Sequence, residues 1–195
     1  MIPLLLTAAF FIAVARFTVY RPHYKLPQVI QFVRKLDVVE LSDLFNADEE
    51  WALRNVSDPR EFRKIQRERI RLAFEYLQRL GHNADVIQSW AVDLYDEIGN
   101  KKAKDFTLQD RLICELVEIS TDLRIYNIVA TAKVAVWVIF RMHLLPISRV
   151  PRIADLRVLG DMDVVKRYQS LIETTASLSE TFGENYSRQI LSALS

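Results

Sequence analysis

Apolar side chains recur every three or four positions from about residue 26 onward, in runs separated by proline, glycine and Asx residues. That spacing lays an apolar stripe along one side of an α-helix, whereas a half-buried strand needs a two-residue alternation that no part of this chain sustains. The expected fold is therefore all-α, an irregular helical bundle. At 195 residues, half of them apolar, the chain is long enough to bury one core and too apolar to remain disordered.

Helix boundaries are expected where capping chemistry falls. Pro27 suits the first turn of a short helix reaching about Leu36, and Asp48, Glu49 and Glu50 place acids at the positive end of the next. Asp58, Pro59 and Glu61 have the spacing of an N-cap, a first helical residue and a capping box, opening a helix expected to end at Leu80. Asn83 is placed to cap a further helix carrying Val86, Ile87, Trp90, Leu94 and Ile98. Thr107 with Asp110 would cap a long helix from Leu108 to about Met142. Beyond Pro146 and Pro151, Val164, Tyr168, Leu171, Thr175, Leu178 and Phe182 alternate four- and three-residue steps. Such a seam packs inside a bundle or, alternatively, against a second copy. Gly81, Gly99, Gly160 and Gly183 each follow a helical run and are expected as left-handed C-caps.

Residues 1–15 carry no charge, and the apolar run extends to Tyr20. About 20 such residues span a ~30 Å hydrocarbon layer, with Arg16 close enough to one end to snorkel. Basic residues follow the run rather than precede it, which would leave the N-terminus outside and the remainder on the cytoplasmic side. The expected division is an N-terminal hydrophobic, transmembrane anchor helix at 1–20, a basic juxtamembrane segment at 21–35 and a helical domain at 36–195. A cleaved export signal is also compatible, since Ala13, Val14 and Ala15 have the small-x-small form of a cleavage site. So is a soluble protein with this segment packed in its core.

The net charge is +1, which removes any bulk electrostatic case for nucleic acid. Local imbalance is another matter. Residues 1–35 contain Arg16, Arg21, Lys25, Arg34 and Lys35 and no acid, while residues 36–58 contain seven acids and only Arg54. A second acid-free stretch runs from Arg124 to Arg152 and includes Lys133, Arg141 and Arg149. An anionic leaflet repels carboxylates and attracts each nearby Lys or Arg by roughly 1 kcal/mol, so greasy, acid-free segments suit contact with it. For the run from Ile125 to Leu145 a buried core helix is expected, with membrane contact as the alternative. A span would put Lys133 mid-membrane at a cost of about 2.5–3.5 kcal/mol.

Within the helix opening at Pro59, Arg60, Arg63, Lys64, Arg67 and Arg71 fall in one arc of about 100°, opposite Phe62, Ile65, Leu72, Ala73, Tyr76, Leu77 and Leu80. Together with Arg16, Arg21 and Lys25 these are the candidate contacts to anionic lipid or an acidic partner; the plainer alternative is a solvated face paired with Glu61, Glu68 and Glu75. Arg69 falls at the centre of the apolar arc. A buried guanidinium needs a carboxylate, and Asp93, Glu115, Glu118 and Asp122 are the candidates.

Motifs for chemistry are missing. The single cysteine, Cys114, permits no intramolecular disulfide and is expected as a small buried core residue. His23, His82 and His143 lack metal-ligand spacing, and Glu115, Glu118 and Asp122 lack the histidine of a di-iron motif. Phosphate loop, dinucleotide fingerprint and nucleophile elbow are absent from the sequence. No catalytic, cofactor-binding or metal residues are therefore expected. The expected function is a membrane-anchored helical interaction or scaffold protein with basic segments on the inner leaflet, open to a protein partner or self-association. The alternative is a soluble helical module that binds an acidic protein or nucleic acid.

Overall fold

The structure, a computed structural model, describes residues 24–99, 107–139 and 152–194. The expected anchor at 1–20, with Arg16, and Arg21 beyond it, lies outside the described residues. Among those described, seven α-helices form: α1 (Leu26–Phe32), α2 (Val38–Leu44), α3 (Ala47–Val56), α4 (Pro59–Gly99), α5 (Leu108–Ile139), α6 (Val164–Glu180) and α7 (Glu184–Leu194). The molecule is all-α, as its periodicity predicts. A 3-10 turn at Ile153–Leu156 and a two-stranded antiparallel hairpin, β1 (Val158–Leu159) with β2 (Met162–Asp163), precede α6. The hairpin is too short to leave an alternating signature, and Gly160, with φ of 65°, makes its turn rather than a helix cap.

Side chains cap several helices, the expected Thr107–Asp110 pair among them. Asp37, Asn46 and Asp163 each accept two amide N–H bonds from the first turns of α2, α3 and α6. Thr107 and Asp110 bond reciprocally at the start of α5, the Thr107 N–H donating to the Asp110 carboxylate at 2.7 Å and the Asp110 N–H to the Thr107 hydroxyl at 3.3 Å.

The expected break near residue 81 does not occur: α4 runs unbroken for 41 residues through Gly81, His82 and Asn83, and Gly99 is its last residue. Gly81 is a contact residue, since a Cβ there would collide with the side-chain amide of Asn127 on α5. Asn83 is a fully buried clasp instead of a cap. Its Oδ1 accepts the Arg34 N–H at 2.7 Å, while its Nδ2 donates to the Arg34 carbonyl at 2.7 Å and the Tyr168 hydroxyl at 2.8 Å. Helix propensity tolerates both residues because tertiary partners outweigh the local cost of about 1 kcal/mol.

α4 and α5 form an antiparallel hairpin, with α6 laid against α5 and α7 against α6. Leu80 and Ile87 of α4, Leu116 and Leu123 of α5, and Tyr168 and Leu171 of α6 meet in one core. The α6 seam from Val164 to Leu178 faces that core, which makes it a bundle helix of its own chain; Phe182, past the helix end, is exposed but lies near Trp90. α1 belongs to the same body. Val29 and Val33 are buried, the Tyr24 N–H donates to Asp93, and the Leu36 N–H donates to the Leu194 carbonyl, so the body extends upstream of residue 36.

Glu50 of α3 is buried and joins three elements. Its Oε1 accepts from Gln66 of α4 at 2.6 Å and from the Ile153 N–H at 3.1 Å, and its Oε2 from the Ala154 N–H at 2.9 Å. Two amide donors from one short turn satisfy a carboxylate that would otherwise be costly to bury. Among the described residues no helix is long and apolar enough to cross a membrane.

Candidate functional site

The cation stripe of α4 stands out from the body. Arg60, Lys64, Arg67 and Arg71 are exposed and Arg63 is half-buried. Arg71 pairs with Glu68 at 3.1 Å, whereas Glu75 turns to Arg79 and no described carboxylate pairs with Arg60, Arg63, Lys64 or Arg67. The expected flank of compensating acids is thus only partly realised.

Helical geometry shows what lies beside the stripe. Asp85 follows Arg67 by about five full turns, so it projects from the same line of α4. There it bonds Arg124 of α5 at 2.5 Å, and Arg124 also donates to Gln88, which in turn donates to Thr121 at 2.7 Å. The stripe and Arg124 therefore share one flank of the α4–α5 hairpin. Asp93 holds the Tyr24 N–H at 3.0 Å. Tyr24 is therefore held roughly 33 Å along α4 from Arg71. Lys25 sits at this far end and is separated from the stripe with which its charge groups it in sequence.

On α5 the outward arc changes character at Arg124. Before it the arc carries Arg111, Cys114, Glu118 and Thr121; after it come Ile125, Ile128, Val129, Ala132 and Val136. Ile125 is 51% and Val129 44% exposed, so the expectation of a buried core helix fails for this outer side, although Tyr126, Ala130 and Val134 on the inner side are buried. A shallow groove of about 390 Å³ runs along the strip, lined by Ile128, Val129, Ala132, Lys133, Val136 and Trp137. Cys114 is likewise exposed rather than buried, because it lies on that outward arc.

Arg69 points elsewhere. It donates to the Leu44 carbonyl at the end of α2, at 2.8 Å, and none of the four expected carboxylates reaches it. Asp93 takes the Tyr24 amide, Glu118 and Asp122 hold Arg167 of α6, and Glu115 is exposed. Arg69 is only half-buried, and a helix C-terminal carbonyl takes its Nη2 while its buried Nε has no described partner. It lines a cleft of about 460 Å³ with Glu40, Asp43, Glu49, Leu72 and Tyr76. The Tyr76 hydroxyl donates to Glu40 there, and desolvation first, then the Glu40 carboxylate, push its pKa up to about 12. None of these acids appeared as a partner in the sequence, where the 25-residue separation of Leu44 from Arg69 carries no contact signal.

Among the described residues, no group of three or more His, Cys, Asp and Glu side chains is placed to hold a metal ion. Comparison of the chain with known protein families, with curated proteins and with solved structures finds no match.

Proposed function

We propose that this chain is a helical interaction or scaffold protein held against an anionic membrane leaflet, with residues 1–20 as its anchor, the body on the cytoplasmic side, and no catalytic role. The observation that carries this reading is the cation stripe of α4, where Arg60, Arg63, Lys64 and Arg67 have no described carboxylate partner. An anchor at one end and a cation stripe at the other reach the same leaflet when α4 lies along the membrane plane. The stripe then contributes roughly 1 kcal/mol per cation near the surface.

The test is partition of the full chain into vesicles of anionic and of neutral lipid. The unmodified protein should prefer anionic vesicles, and Arg60→Glu with Arg63→Glu and Arg67→Glu should cut that preference by about a hundredfold or more, as three lost attractions imply. An unchanged preference would remove the stripe from membrane contact. A mobility shift of nucleic acid that weakens steeply with salt would favour the soluble binding module instead.

A further inference from the structure

We infer that the outward strip of α5, formed by Ile125, Ile128, Val129, Ala132 and Val136, inserts into the boundary between head groups and acyl chains of an anionic bilayer. This rests on the membrane-apposed reading above and names the element that enters the lipid.

The strip covers twelve residues of helix, about 16 Å from first to last, which is too short to span a bilayer and the right scale for an in-plane contact. No described element covers it. Its chemistry is that of an interfacial helix face: branched aliphatic side chains along the centre, Trp137 at one end, and Lys133 exposed on its edge. Charge selects the occupant. The stretch from Arg124 to Arg152 contains no carboxylate; Arg124 pairs with Asp85 and Arg152 with Asp155, Lys133 is exposed at the strip, and the α4 stripe adds four cations with no described carboxylate partner. A second copy seated by a two-fold axis on this strip would set Lys133 near its symmetry mate with no acid on the segment to compensate. An anionic head-group layer supplies that compensation all round the strip, while the acyl layer takes the aliphatic side chains. The arc switches from polar to apolar at Arg124, so the lipid contact is confined to the C-terminal half of α5 and the polar half stays in water.

Trp137 reports the position directly. The chain has three tryptophans, of which Trp51 is exposed and Trp90 is buried in the core. In full-length Trp51→Phe protein bound to vesicles, lipids brominated along the acyl chain should quench Trp137, the difference from Trp51→Phe/Trp137→Phe isolating its signal. Val129→Glu with Val136→Glu, both on exposed or half-buried sites, should abolish that quenching while the anionic preference of the stripe persists. Vesicle-bound protein whose Trp137 emission ignores the bromines would overturn the insertion and leave the stripe reading standing. Such insensitivity with emission already blue-shifted before vesicles are added would identify cover by residues 1–23 or a second copy instead. Quenching retained without any anionic preference would overturn both the stripe reading and the selection of an anionic bilayer by the strip.

Discussion

Asn83 and Gly81 do their work through partners far away in sequence. With Asn83 fully buried and bonded to both backbone groups of Arg34 and to Tyr168, Asn83→Ala strands an N–H, a carbonyl and a hydroxyl at once. Urea denaturation should show a loss of about 2–4 kcal/mol, since each stranded buried group costs about 1–3 kcal/mol and relaxation recovers part; a loss below about 1 kcal/mol would mean the clasp is dispensable. At Gly81 the sign is set by crowding. Gly81→Ala improves helix propensity but drives a methyl into Asn127, and overpacking of this kind costs about 1–3 kcal/mol. Adding Asn127→Ala should restore stability, so the double-mutant cycle should return a clear coupling; additive effects would refute the close approach. In sequence both residues look like helix punctuation, because Gly and Asn serve equally as caps and as the small or polar members of a helix contact.

At the level of elements, local chemistry was legible and non-local chemistry was not. The Thr107–Asp110 box could be read from four consecutive residues, and it forms. Its hydrogen bonds from Thr107, backbone first, hold the Asp110 carboxyl below its ordinary range. A depressed carboxyl stabilises the folded state above its unfolded pKa and loses that contribution as pH falls through the lowered value. Thr107→Val should therefore raise the Asp110 titration midpoint, read by NMR; an unmoved midpoint would mean that the side-chain half of the box contributes nothing. Glu50 is the opposite case, an acid in the first turn of α3 that reads as a dipole partner. It is instead the buried link to the 3-10 turn, through Ile153 and Ala154 about a hundred residues on. Glu50→Ala should speed hydrogen exchange at those two amides well ahead of the α4–α5 core, and unchanged protection would show that the turn is held by packing alone.

Over the whole molecule, the stripe of α4 and the strip of α5 share a flank only because the hairpin brings them together. If that flank faces the leaflet, the long helices lie flat. Oriented circular dichroism of the full chain in supported anionic bilayers should show predominantly in-plane helices, and a spectrum dominated by helices along the normal would contradict that arrangement. The anionic preference should also fall as salt rises, since the Debye length shortens to about 10 Å at 0.1 M. By itself the sequence determined the helical class, the Thr107–Asp110 box and the angular position of the five cations, because these depend on periods and hydrogen bonds within a few residues. Only the tertiary structure decided that Arg69 serves α2 instead of the acids of α4 and α5, that Asn83 clasps a distant strand of backbone, and that α5 turns an apolar side outward. Each of those outcomes is set by which helix faces meet, and a helix apolar on every side carries no local mark of which face its neighbours will cover.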